Sequence, residues 1–306
     1  MRLAGMMCNH RQGALMNRHE TLKHLMQSGQ PLRLPGAYDV LSAKLIEQAG
    51  YPVVYIGSYG TAASAFGWPD VGLLELNDLT ELAGKVVRAV KVPVIADAEN
   101  GFHEPANLWK TVSAFEAAGV SAIHIEDHAG GKHTDRPQHL IPLELMLAKL
   151  RAALDARQDP HFQIIARTDA IWATHDVAEA VRRCQAFAAL GVDMVFPTGA
   201  DADTVQSIRA LLGPRTPIVG IETQNDAPRS REDSPDIVLN YGFALFAVTR
   251  TLQQALITYR HAQTPQALAP MLTPVLEFEA LFDYAGFSAR ASHYDVVPPT
   301  QDAGLT

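Results

Sequence analysis

Eight short apolar runs recur along the chain, and helix-like segments separate them. The runs are Leu32–Ala37, Val53–Ser58, Val92–Ala98, Ala122–Asp127, Phe162–Arg167, Met194–Thr198, Pro217–Glu222 and Asp236–Tyr241. They are continuous rather than alternating, the pattern of strands buried on both faces of a parallel sheet. The segments between them, such as DVLSAKLIEQAG, LNDLTELAGKVVRAV and DVAEAVRRCQAFAALG, read as helices. A local repeat supports the alternation. EQAGYPVVYI, EAAGVSAIHI and AALGVDMVFP share one plan of helix end, glycine, short link and strand. Gly50, Gly119 and Gly191 then fit the left-handed position that ends a helix. Strands alternating with helices in this number predict an α/β chain folded as a (β/α)8 TIM barrel. An open doubly wound sheet would carry a glycine-rich phosphate loop after its first strand. LPGAYDVLSA has one glycine there and lacks that pattern.

The barrel is expected over residues 31–262, with an N-terminal helical extension at 1–30 and a C-terminal helical arm and tail at 263–306. In the arm, HAQTPQALAPML reads as a linker with two prolines, and VLEFEALFDYAGF as a short amphipathic helix pair. The apolar face of that pair has to bury on the barrel or on a neighbouring subunit. Lys and Arg number 25 against 33 Asp and Glu, a formal net charge of −8. No basic stripe is visible, which argues against nucleic acid as a partner. No apolar run approaches a membrane span, and the N-terminus lacks the apolar core of a signal peptide, so a cytoplasmic protein is expected. The two cysteines, Cys8 and Cys184, are too few for a disulfide scaffold. Cys184 sits in the helical stretch AVRRCQAFAAL and reads as a buried, inert thiol.

In a barrel of this kind the chemistry gathers at the C-terminal ends of the strands. Here those ends are polar: Ser58, then Asp97 with Glu99 and Asn100, Glu126-Asp127-His128, Arg167-Thr168-Asp169, Glu222 and Asn240. Asp70 follows strand two. One charged residue at a strand end is ordinarily a helix cap or a rim ion pair. Four acids converging on one mouth (Asp70, Asp97, Glu99 and Glu126) are a different matter. Like charges held together raise one another's pKa, and a cation relieves them. All-oxygen ligation favours Mg2+ or Mn2+ over zinc. Arg167 on the adjoining strand suits a substrate carboxylate. Metal and arginine at one mouth point to a small dicarboxylate or oxoacid, with the metal acting as Lewis acid. His128, directly after the acid pair, is a pocket candidate, and Glu222 joins it from strand seven. His124, His133 and His139 read as surface residues. Tyr59 and Trp68 are candidate pocket walls. RSREDSPD, residues 229–236, reads as a solvated loop at the active face, with a lid role open.

At these residues the chain resembles the isocitrate lyase/phosphoenolpyruvate mutase superfamily. The matching pieces are LPGAYDVLSAKLIEQAG, YIGSYGTAAS, FGWPDVG, VPVIADAENGF, FEAAGVSAIHIED, LIPLELMLAKLRAALDAR and IIARTDA. They run in order over roughly residues 31–260. The resemblance implies a phosphoenolpyruvate mutase-like barrel whose C-terminal helix is often exchanged between subunits, in homodimers or homotetramers. It implies a Mg2+-dependent reaction at a C–C or P–C bond next to an α-oxo or α-hydroxy acid, through an enolpyruvate-type intermediate. By position, Asp97 is the direct metal ligand, and Asp70, Glu99 and Glu126 act largely through metal-bound water. The Tyr55 to Gly60 segment, with Gly57, Ser58 and Tyr59, is the loop that holds a substrate carboxylate. Arg167 is the substrate-binding arginine.

The departures narrow this. Superfamily lyases acting on isocitrate or methylisocitrate carry a mobile loop, Lys-Lys/Arg-Cys-Gly-His, whose cysteine is the catalytic acid. The loop here is HAGGKHTDRPQHLIP. Lys132 matches the first lysine, and Thr134 takes the cysteine position. A threonine hydroxyl has too high a pKa to deliver a proton as a thiol does. Phe196-Pro197-Thr198 stands where strand six often carries Glu, Gly220 where strand seven often carries Asn, and Tyr59 where many members have Gly. Oxaloacetate decarboxylases of the superfamily also lack the cysteine, and the Lys-x-Thr-Asp here resembles theirs. The first reading is a Mg2+-dependent carbon–carbon lyase that cleaves or decarboxylates a small 2-oxo- or 2-hydroxydicarboxylate. Decarboxylation ranks above aldol cleavage. Asp70, Glu126, Arg167 and Thr134 form its catalytic set. Two alternatives stand: P–C chemistry on a phosphonopyruvate-like substrate, and a barrel that binds a metabolite without turnover.

Overall fold

The computed structural model describes residues 17–294. Cys8, most of the expected N-terminal extension and the end of the tail lie outside the described residues. Eight parallel strands follow one another: β1 Leu32–Ala37, β2 Val54–Ile56, β3 Val94–Asp97, β4 Ala122–Glu126, β5 Gln163–Thr168, β6 Met194–Pro197, β7 Val219–Ile221 and β8 Ile237–Asn240. Their order is β6-β5-β4-β3-β2-β1-β8-β7. A single bridge between Val195 and Ile218 joins β6 to β7, so the barrel is nearly closed. This is the (β/α)8 architecture expected from the alternation.

The helices are α1 Arg18–Gln27, α2 Val40–Gln48, α3 Ser58–Thr61, α4 Leu76–Ala89, α5 Trp109–Ala118, α6 Leu143–Ala156, α7 Ala170–Thr174, α8 Val177–Leu190, α9 Ala202–Leu212, α10 Phe243–Ala262, α11 Val275–Glu279 and α12 Tyr284–Tyr294. Their ends follow local chemistry. Asp39 caps α2 in a reciprocal box with Ser42. Gly119 and Gly191 end α5 and α8 at φ 83° and 92°, the left-handed conformation that glycine adopts without a Cβ penalty.

Strand periodicity sorts side chains between two cores. Leu34, Val53, Tyr55, Ile95, Ala122, Ile165, Met194, Phe196, Val219 and Leu239 fill the barrel interior, with Leu22 of α1 buried among them. Ile56, Val94, Ala96, Ile123, Ile125 and Ile164 face outward and meet Val86, Phe115, Leu150 and Phe187 of the helices. Each fully buried aliphatic or aromatic side chain contributes about 1.5–3 kcal/mol. The chain divides between Phe246 and Ala247 into two compact units. None of the α10 side chains is buried. Among the described residues no helix is long and apolar enough to cross a membrane.

Candidate active site

The mouth of the barrel is built by strand ends. Asp97 closes β3, and its Oδ2 accepts from the Ser58 backbone N–H at 3.2 Å and the Ser58 hydroxyl at 2.9 Å. Its Oδ1 accepts from the Glu99 N–H at 2.8 Å. The turn that returns Glu99 toward Asp97 holds it at φ 49°, a region a non-glycine residue occupies at a cost of about 1–3 kcal/mol. Glu126 ends β4 and Arg167 ends β5, and the two are registered neighbours. Asp70 arrives from the loop after α3.

Lys132 is the residue these acids surround. Its ammonium lies 2.7 Å from Glu99, 3.2 Å from Glu126 and 3.7 Å from Asp70, with the side chain 2% exposed. Burial opposes its charge, but Glu126, Glu99, Asp97 and Asp70 outweigh that and raise its pKa well above the ordinary value. Burial pushes Glu126 up to about 8, against the pull of Arg167 and Lys132. Glu99 is raised by burial and by the neighbouring Asp97 charge. Asp97 goes the other way. Burial works against its ionisation, but the facing charges of His124, Lys132 and Arg167 hold the carboxyl below its ordinary range. Burial pushes His124 itself down to about 4, so near neutral pH Lys132 and Arg167 carry that effect.

Arg167 is held from two sides. Its Nε and Nη2 donate to the two oxygens of Asp169 at 2.8 and 3.1 Å, and its Nη1 lies 3.1 Å from Glu126. The Asp169 N–H donates to Asp127 Oδ1, whose second oxygen takes Arg183 Nη1 of α8 at 2.9 Å. A helix arginine therefore sets the angle of the strand end that presents Arg167.

Above the acids opens a cavity of about 280 Å³. Tyr55, Gly57, Ser58, Tyr59, Asp70, Asp97, Lys132 and Arg167 line it, so most of the candidate set from strands two, three and five meets there. Glu99 and Glu126 sit behind Lys132 rather than on the wall. Gly60 is off the wall too, and an added Cβ there would lie 3.2 Å from that of Tyr38. Thr134 donates to the Gly131 carbonyl at 2.6 Å and does not reach the cavity. His128 is spent within its own loop, on Gln138 at 2.8 Å and the Gly130 N–H at 3.0 Å. Glu222 is displaced further. Ile221 faces the cavity, so by strand alternation Glu222 faces away, and it pairs with Arg33.

Of the histidines read as surface residues, His124 is not there, while His133 is exposed and also borders the cavity. His124 is fully buried, 3.1 Å from the Tyr55 hydroxyl and 3.5 Å from Asp97. The same alternation that turns Glu126 inward turns His124 inward, and that signal was legible in the run. His133 lines the cavity 3.4 Å from Asp70. Sequence reasoning also missed Trp172, Thr223, Asp226, Arg229 and Tyr241 on the far wall. Only the charged RSREDSPD stretch hinted at them. Cys184 is buried, and burial raises its pKa further, as an inert thiol requires.

The donor set fits a hard divalent cation. Asp70, Glu99 and Glu126 surround the Lys132 ammonium, the Asp97 charge also acts on it, and the buried Glu99 Oε1 has no hydrogen-bond partner. Among the described residues no three acidic or histidine side chains are close enough to share an ion directly. That spacing suits an ion such as Mg2+, which keeps several waters, better than a closed protein cage.

The chain matches the phosphoenolpyruvate phosphomutase family over residues 22–259. It is 38% identical to 2,3-dimethylmalate lyase of Eubacterium barkeri over 183 residues, 59% of this chain and 63% of that one. The match therefore spans less than two thirds of that relative. It is 32% identical to oxaloacetate decarboxylase of Marinomonas sp. over 238 residues, 76% of this chain and 82% of the relative. The solved structure of phosphonopyruvate hydrolase in complex with oxalate and Mg++ superposes with a TM-score of 0.82 at 27% identity, covering 91% of this chain and 99% of that one. With the acids, the arginine and the barrel in these places, the chain belongs to the phosphoenolpyruvate mutase/isocitrate lyase superfamily.

Proposed function

We propose that the protein is a Mg2+- or Mn2+-dependent carbon–carbon lyase acting on a small 2-oxo- or 2-hydroxydicarboxylate, with oxaloacetate-type decarboxylation as its first activity. The observation that carries this reading is the gathering of four acids at one barrel mouth, with Asp70 and Asp97 on the cavity wall and Asp70, Glu99 and Glu126 within 3.7 Å of the buried Lys132 ammonium. The oxaloacetate decarboxylase relative, matched over most of its length, supports the choice of substrate class.

Asp97 would hold the metal, with Asp70, Glu99 and Glu126 reaching it through water. The metal supplies Lewis-acid stabilisation of the negative charge that builds on the substrate oxygen as the C–C bond breaks. The protein supplies the rest. Ser58 pins Asp97 through two donors and fixes the carboxylate in one orientation. Arg167, braced by Asp169 and Glu126, places a positive charge beside the reacting group. Tyr55, Phe196 and Leu239 give the cavity apolar walls that exclude water and strengthen every charge interaction inside. Among the described residues no thiol acid is available, since Thr134 is turned to Gly131 and Cys184 is buried in α8. Decarboxylation needs an electron sink but no such acid, which ranks it above aldol cleavage.

The test is a substrate panel. Purified protein with Mg2+ is offered oxaloacetate, methylisocitrate, dimethylmalate and phosphonopyruvate, and pyruvate release is followed for the oxo acids and cleavage products. Release from oxaloacetate above the metal-only background is expected. Turnover of phosphonopyruvate alone would replace this reading by P–C chemistry. Tight binding of oxalate with no turnover would leave a metabolite-binding barrel.

A further inference from the structure

Four basic side chains line the cavity: Lys132, His133, Arg167 and Arg229. Carboxylates already face three of them. Lys132 sits among Glu99, Glu126 and Asp70, and His133 lies 3.4 Å from Asp70. Arg167 donates through Nε and Nη2 to Asp169, and its Nη1 lies 3.1 Å from the Glu126 carboxylate as an ion pair. Two carboxylates therefore already offset its charge, which leaves it less charge to offer a further anion.

Arg229 is different. Its Nη2 donates to the Ala200 carbonyl at 3.1 Å, and among the described residues no carboxylate forms an ion pair with it. The acids nearby are occupied. Asp201 feels the Arg229 charge, but its carboxylate caps α9 through the Thr204 N–H at 2.9 Å. Asp226, on the same cavity wall, accepts from the Thr223 N–H at 2.6 Å and its hydroxyl at 2.8 Å. One edge of the Arg229 group is therefore fixed on backbone, and its other N–H donors remain for a ligand. The side chain is half-buried in the wall with Thr198, Thr223 and Tyr241, where a charge-assisted pair is shielded from solvent.

We propose that Arg229 is the specificity-determining residue for the substrate's second carboxylate. The end of the cavity at Ser58 and Asp97 takes the chelating oxoacid group, and Arg229 takes the distal anionic group. This rests on the lyase reading and sharpens it: the substrate is a dianion with two separated acid groups, and a monoacid of the same shape is a poor ligand. The loop Thr223 to Asp236, charged and irregular, is the segment that selects it.

The experiment compares two ligands by isothermal titration calorimetry in excess Mg2+: oxalate, which is too short to use Arg229, and 3,3-difluorooxaloacetate, which has a distal carboxylate. In Arg229→Gln the affinity for 3,3-difluorooxaloacetate should fall about 10- to 100-fold, while that for oxalate changes by less than about twofold. Arg229→Lys keeps the charge but loses the planar fork, and should fall between wild type and Arg229→Gln. Equal weakening of both ligands, or of neither, overturns the proposal. If Arg229→Gln does not fold, Arg229→Lys against wild type decides by the same criterion. Wild-type protein that binds neither ligand overturns the lyase reading itself and this inference with it. Wild type that binds both, with no ligand difference in the variants, overturns only the role of Arg229.

Discussion

Lys132 brings a full charge into a place with almost no solvent, and three carboxylates hold it there. Its charge relieves the same acids that a divalent cation would relieve. Removing one partner of a buried charge cluster costs about 3–5 kcal/mol, because the remaining charges are left uncompensated. Lys132→Met should therefore lower the melting temperature of metal-free protein. Added Mg2+ should recover more stability in the variant than it adds to wild type. Thermal unfolding with and without Mg2+ checks this, and a variant as stable as wild type would contradict it. The acids themselves were legible, since strand ends at a barrel mouth are where Asp97, Glu126 and Arg167 had to converge. Lys132 was matched only as a loop residue. A loop without periodicity says nothing of which way its side chain turns. His124 and Glu222 were misplaced for a simpler reason: the two-residue strand period assigns one inward and the other outward, and it was not applied to them.

At the scale of elements, alternation and capping made most helices and strands legible. α3, with the π-helical turn Ala62–Phe66 behind it, was not legible, nor was α7. Both are one-turn structures at the active face, too short to carry an amphipathic signal. α10 was also missed as a separate helix. β7 shows why one departure from the superfamily pattern is fixed here. A Cβ on Gly220 would lie 2.5 Å from Cγ of Pro235, which closes the charged loop against the strand. An asparagine has no room at that position. Gly220→Asn should destabilise the fold by about 1–3 kcal/mol, as overpacked core positions do. Urea denaturation of the variant measures it, and an unchanged midpoint would mean that Pro235 yields freely.

The whole molecule adds a question of surface. In the unit from Ala247 onward, Leu268 is the one buried hydrophobic among the described residues. Leu252, Leu256, Leu276 and Phe287 are 54%, 59%, 81% and 65% exposed. Apolar area of this extent is characteristic of subunit interfaces. It supports the expected homodimer or homotetramer, with the unit from Ala247 onward as the interface. Light scattering on a sizing column should find an oligomer, and Leu252→Glu with Leu256→Glu should shift it to a smaller species; a monomeric wild type would contradict this. The architecture was legible because it rests on repeated period and order, whereas subunit contacts leave no comparable pattern in one chain. The central claim is metal-dependent lyase chemistry at the acid cluster. Its most direct test is pyruvate release from oxaloacetate by wild type and Asp97→Ala, each with Mg2+ and with EDTA. Mg2+-dependent release by wild type, reduced by roughly 100-fold or more in Asp97→Ala and abolished by EDTA, is the predicted result. Release that survives EDTA, or an Asp97→Ala variant as active as wild type, would contradict it.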